Sequence, residues 1–248
     1  MRKTIFSTRQ VILQCIFILF IGTNSTVYSQ TPNVIFKYAE DQKLVKPNDA
    51  ISKKYTAIDY FSEGIATYRK EYKNKVKIGY VDTSGKEIVI PVKTPKILDR
   101  YIDGIAAVMN SSFKWAFLDK RGNNLTGFIY DNQYELNHQE RLTQMFKVAE
   151  EGDTIVMMRI AIAYYLGSEV FNKNRASNYR FNISQNYEKA FEWFSKCAKR
   201  GCSQSYFMLG WMCQHGQGTK EDVVSAKNYY QMSKEPEALI QISKLDNL

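Results

Sequence analysis

The sequence predicts a segregated α+β fold, with N-terminal β-hairpin repeats followed by a short α-solenoid of helix–turn–helix repeats. Three observations carry that expectation. A strand–turn–strand pattern recurs 37–40 residues apart in the first half. Beyond about residue 135 the apolar period lengthens from two to three or four. A helix-pair pattern then recurs with small residues and glycines at matching places. The expected division is residues 1–29 as an export signal, 30–134 as the β-repeat domain and 135–248 as the helical domain.

The leader comes first. Arg2, Lys3 and Arg9 precede any acid, and Val11 to Gly22 is an apolar run of twelve residues. Thr23 to Ser29 is polar, with Val27 and Ser29 spaced like the −3 and −1 residues of a signal-peptidase site before Gln30. This is the tripartite layout of a secretory signal. A membrane span needs roughly 18 or more apolar residues, so cleavage should leave no integral membrane segment. Cys15 lies inside the apolar run and not at its end, the wrong place for a lipid-modified cysteine.

Hydrophobic residues at 44% support packed cores. Seventeen tyrosines give many rings with polar tips, suited to half-buried surfaces. Removing the leader takes away three basic residues, so the formal charge falls from +9 to +6. The remaining cations are interspersed with acids. Nucleic-acid binding asks for a concentrated basic face, and no nucleic-acid partner is expected.

In the first half, Phe61–Ser62–Glu63–Gly64–Ile65–Ala66 parallels Tyr101–Ile102–Asp103–Gly104–Ile105–Ala106, 40 residues on. Downstream, Lys77 to Lys86 parallels Lys114 to Asn123, and both Asp82/Asp119 and Gly85/Gly122 are 37 apart. An apolar run into Asp-x-x-Gly reads as a strand entering a turn, the Asp bonding the turn backbone and the Gly taking positive φ. Glu87 to Ile90 supplies the returning strand, closed by Pro91. The pattern resembles the WG-repeat family of bacterial envelope proteins, although the Trp-Gly pair is split between Trp115–Ala116 and Ile78–Gly79. A third, worn copy is expected over Ile35 to Pro47. Asp82 and Asp119 read as turn residues and not as a catalytic carboxylate pair.

In the second half, Gly152 aligns with Gly201. Val156/Ser205, Ile160/Leu209 and Tyr164/Cys213 then mark one helical face, and Ala161/Gly210 is a small slot for close helix packing. The second helix of the unit is Tyr187 to Ala198. Its counterpart is Val223 to Gln231, with Ala190/Ala226, Trp193/Tyr229 and Phe194/Tyr230 each 36 apart. These residues resemble the Sel-one-like repeat, a relative of the tetratricopeptide repeat. A truncated last helix should open at Glu235–Pro236, with Leu245 placed 36 after Leu209.

No Gly-rich phosphate loop, serine elbow or H-E-x-x-H motif is present, so no enzyme and no cofactor are expected. His215 beside Cys213 reads as loop, and with His138 in a linker the ligands for a metal are too few. The odd count of Cys197, Cys202 and Cys213 in the mature chain argues against a disulfide framework. Cys197 and Cys202 flank a helix–helix turn, where a bridge and two free thiols are both within reach. Trp193, Phe194, Tyr229 and Tyr230 read as core between helices.

The candidate partner-binding surface is a 13-residue excess near 168–184, carrying Asn172, Lys173, Asn174, Arg175, Tyr179 and Arg180. Insertions in solenoids map to loops on one face. The resulting expectation is an exported protein-interaction scaffold of the bacterial envelope, in the periplasm, at the cell surface or secreted. A glycan- or peptide-binding accessory protein is the alternative.

Overall fold

The computed structural model describes Pro32, Ile35 and residues 44–73, 75–168 and 182–247. The expected signal segment and most of the expected third β copy lie outside the described residues. Within that copy, Ile35 is helical and buried in the main core, against the expected strand, while Val45 pairs with Phe61 as a single antiparallel bridge.

A one-turn helix α1 (Asp49–Ser52), capped by Asn48, precedes two antiparallel sheets. The first joins β1 (Ala57–Ile58), β2 (Ile65–Tyr72), β3 (Lys75–Asp82) and β4 (Glu87–Ile88) in sequence order. The second joins β5 (Ile97–Leu98), β6 (Ile105–Met109) and β7 (Trp115–Asp119). The repeated aromatic-x-acid-Gly-Ile motif is itself a hairpin turn. Ser62 and Ile65 exchange both backbone hydrogen bonds (2.9 and 3.0 Å), and so do Ile102 and Ile105 (3.0 and 3.4 Å). Glu63 and Gly64 have φ of 52° and 83°, and Asp103 and Gly104 have 57° and 79°. Two successive positive φ values make the tight turn whose twist matches the strands it joins.

The Asp-x-x-Gly turns are equally alike. The Asp82 carboxylate accepts from the backbone N–H of Ser84 and Lys86, and that of Asp119 from Arg121 and Asn123. Both are turn residues, as their spacing suggests.

Alternation along the strands stacks the sheets face to face. Ala66, Tyr68 and Val81 pack outward with Ile51 and Phe61. Ile65 and Tyr80 pack inward on Tyr101, Ala106, Val108 and Leu118 of the second sheet. The far face of that sheet, with Ile105, Ala107, Trp115 and Phe117, joins the main core with the helices.

The helices are α2 (Gln133–Glu150), α3 (Thr154–Leu166), α4 (Tyr187–Lys199), α5 (Ser203–Gln214), α6 (Val223–Met232) and α7 (Pro236–Asp246). Each packs on the next. Asn132, Asp153, Asn186 and Asp222 cap α2, α3, α4 and α6 through side-chain oxygens. The small slot is real at Gly210, where a Cβ would stand 2.8 Å from the Tyr230 ring and 3.1 Å from the Ala226 carbonyl. Trp193, Phe194 and Tyr230 are buried between helices, and Tyr229 is half-buried beside Tyr206.

Two details differ from expectation, and one open choice is settled. His138 stands on α2 and not in a linker, its ring stacked on Tyr134. The last helix follows at 33 residues, the distance from Cys202 to Glu235 at the N-caps of α5 and α7, because α6 is shorter than α4. Cys197, Cys202 and Cys213 are all free thiols.

Helix α2 ends in Lys147-x-Ala149-x-x-Gly152, which repeats as Lys196-x-Ala198-x-x-Gly201 at the end of α4. By that pattern α2 stands as the second helix of a unit, with no full-length first helix before it among the described residues. The second sheet occupies the side such a helix would take, with Phe117 and Trp115 in one core with Leu136, Met145 and Val148 of α2.

Candidate interaction surface

The junction of the two halves is polar at its centre. The turn at Gly104 presses so close to the helices that a Cβ would meet Val156 at 2.6 Å and Val148 at 3.0 Å. Glu63, its side chain only 1% exposed, accepts the backbone N–H of Asp103 and Gly104 at 2.7 and 2.8 Å. Its other neighbour is Lys120 at 3.0 Å, which also reaches the Asp153 cap of α3 at 2.8 Å. Burial works against the Lys120 charge, but the two carboxylates outweigh it and hold its pKa above the ordinary value. Asp103 lies 3.3 Å from Arg159 on α3 and 3.9 Å from Arg141 on α2. Arg141 donates to the Ile102 carbonyl and lies over the Phe117 ring. Three acids and three bases balance, drawn from three turns and from helices α2 and α3. The network holds architecture in place and offers no open site.

The rim of the solenoid is more accessible. Ser168 N–H donates to the Ile183 carbonyl at 2.8 Å, and Asn186 N–H to the Tyr164 carbonyl at 2.8 Å. The chain thus leaves and re-enters the helices at one point. The six candidate residues Asn172, Lys173, Asn174, Arg175, Tyr179 and Arg180 lie outside the described residues. Ile183, expected in the same excess, is 5% exposed and part of the main core, so the returning end of the insert belongs to the fold.

Around that root stand side chains that sequence reasoning passed over. The Tyr165 hydroxyl donates to the Gln217 side chain at 2.7 Å, and its ring packs 5.1 Å from that of Tyr187. Burial pushes the Tyr165 phenol pKa up, so it stays a donor. Gln185 donates to the Tyr165 carbonyl. Trp211 stacks on His215 at 4.1 Å, and His215 Nδ1 contacts the Trp211 carbonyl at 2.8 Å, closing the end of α5. His215 is thus tied into a helix terminus. Tyr187, Trp211, His215 and Gln217 are half-buried, a mix of flat apolar rings and amides suited to gripping side chains. The loops that follow the first helices begin at this rim, so the root of the insert at Ser168 and Ile183 lies on the same end of the helices as the turn at Gln217. The only sequence signal for it was the excess itself.

Among the described residues, no group of His, Cys, Asp and Glu could hold a metal ion. No helix there is long and apolar enough to cross a membrane.

Residues 156–202 and 203–235 match the family model described as the Sel1 repeat. The C-terminal half carries Sel1 repeats. Sel1 repeat proteins mediate protein–protein interaction. One relative is an ERAD-associated E3 ubiquitin-protein ligase component, HRD3A of Arabidopsis thaliana, 26% identical over 140 residues. That stretch is 54% of this chain and 18% of the relative, so the chain spans under a fifth of that protein's length. A crystal structure of a Sel1 repeat protein from Oxalobacter formigenes is 20% identical, covering 45% of this chain and 42% of that one, with a TM-score of 0.35. The second Sel1 unit, 203–235, has the 33-residue length that sets the register of α7.

Proposed function

We propose that this protein is an exported, non-catalytic scaffold of the bacterial cell envelope that holds a protein partner at the rim of its Sel1 units. The observation that carries the reading is the placement of the insert root beside Tyr187, Trp211 and Gln217, on repeats whose relatives mediate protein contacts. The leader at residues 1–29 supports export, and two meanders with matching turns support kinship of the first half with WG repeats.

Capture from envelope extracts with the mature chain tests it. A stoichiometric protein partner is expected, and it should be lost when residues 169–181 are deleted, a cut that keeps Ser168 and Ile183. Loop shortening of that size changes stability by about 1 kcal/mol, so melting should be almost unchanged. Retention on a polysaccharide column without a protein partner would overturn the scaffold reading. Mass spectrometry of the envelope fraction should find a mature N-terminus near Gln30; an intact Met1 product would overturn export.

A further inference from the structure

We propose that the projecting end of the β2–β3 hairpin is a docking edge for an extended acidic peptide segment of another protein, with carboxylates at alternate positions. Ile65 to Ile105 is 40 residues but Asp82 to Asp119 is 37, so the first hairpin is three residues longer than the second. The excess does not serve the fold: β2 from Arg69 to Tyr72 and β3 from Lys75 to Lys77 are exposed, Tyr72 at 67% and Val76 at 56%.

This end carries Arg69, Lys70, Lys73, Lys75 and Lys77 against one acid, Glu71. The register sets Lys70 opposite Lys77 and Tyr72 opposite Lys75. Directly opposed residues share a face, so three lysines and a tyrosine stand together, and like charges so placed are destabilising. Glu87 takes Lys77 and Glu71 takes Arg69. Among the described residues, no carboxylate lies within ion-pair distance of Lys70, Lys73 or Lys75. Among the described residues the face therefore carries more positive charge than its carboxylates balance, with Glu87 paired to Lys77 and also attracting Lys70 at longer range.

The backbone decides which edge is open. The Arg69 carbonyl accepts from Thr56 N–H, and Glu71 N–H donates to the Thr56 hydroxyl, both at 2.9 Å. These groups point away from β3. In an antiparallel ladder the residues opposite them, Ile78 and Val76, turn their own N–H and C=O to the outer side. On that outer side β4 pairs only Tyr80 and Val81. A strand laid along Val76 and Ile78 would place side chains against Lys75 and Lys77, which are about 7 Å apart. Lysines on an edge repel most strands; here they select one whose carboxylates meet them at every second residue.

The probe is a fluorescein-labelled peptide of alternating Glu and Thr, with a Gln-for-Glu control, titrated into the mature chain by anisotropy. Saturable binding of the Glu peptide alone is expected. It should weaken about tenfold in the double variant Lys70→Gln, Lys75→Gln and comparably in Val76→Pro, where the N–H lost points outward and takes no part in the β2–β3 ladder. Slowed exchange of the Val76 and Ile78 amides with peptide bound tests the edge with no substitution. The proposal is overturned if the Glu peptide fails to bind at low salt, or if exchange at Val76 and Ile78 is unaffected. Equal retention on phosphatidylglycerol vesicles or an anionic polysaccharide, with the same loss in the lysine variant, also overturns it. Its failure leaves the solenoid reading standing, since no rim residue takes part.

Discussion

The two β repeats share their turns, their register and most of their pattern, yet one is a half-solvated sheet and the other is buried on both faces. In the second, Ala106 and Val108 face the first sheet while Ala107 and Phe117 face the helices, and β6 and β7 are buried almost throughout. In the first, the inner ends of β2 and β3 are buried and the outer ends lie in water. The repeat motif sets the turns; the neighbours on either side set how much apolar surface a strand needs. The same holds in the helical half, where Asp153 and Cys202 occupy equivalent N-caps but only Asp153 bonds the helix.

The largest break in this comparison should come at the acid of the Gly turns. Asp103→Ala removes the 0%-exposed partner of two arginines, and unpairing a buried charge costs about 3–5 kcal/mol. Urea denaturation should show that loss; a change under about 1 kcal/mol would mean that water reaches the junction.

Next is Gly210→Leu, which forces a branched side chain onto Tyr230 and the Ala226 carbonyl. Overpacking should cost about 3 kcal/mol, and an unaltered melting curve would show the slot is slack. Asp119→Ala and Asp82→Ala then separate burial from bonding. Each loses matching hydrogen bonds, but Asp119 is buried and Asp82 is not. The expected losses are about 2 and about 1 kcal/mol, and equal losses would show that the surroundings are irrelevant. Last, Cys202→Asp gives α5 the side-chain cap that α3 already has. It should raise stability by about 1 kcal/mol, readable as a small rise in melting temperature.

Turn residues and Sel1 helices were legible because their signals are local. Gly152 and Gly201 have positive φ where the repeats begin, at 113° and 86°, and the helices from Thr154 onward fall where the three-to-four period places them. Helix α2 was less legible, because two of its buried positions are Arg141 and Gln144. A polar residue satisfied by a distant turn breaks an apolar period without breaking the helix. Its signal was Lys147-x-Ala149-x-x-Gly152, read backwards from the next repeat. The rim was invisible for a different reason. Tyr165 comes from one unit and Trp211 and Gln217 from the next, and they meet only when those units stack.

The second sheet, packed on α2 where a first helix would stand, turns two stacks into one column of layers, each touching mainly its neighbours. Such a column should fray from its ends. Backbone amides of β1 and α7 should trade their protons for deuterium fastest, and those of β6, β7 and α3 slowest, at a rate that approaches global opening. Read in order of deuterium uptake, the chain would list its layers from the outside in, meeting at Asp103 and Arg159.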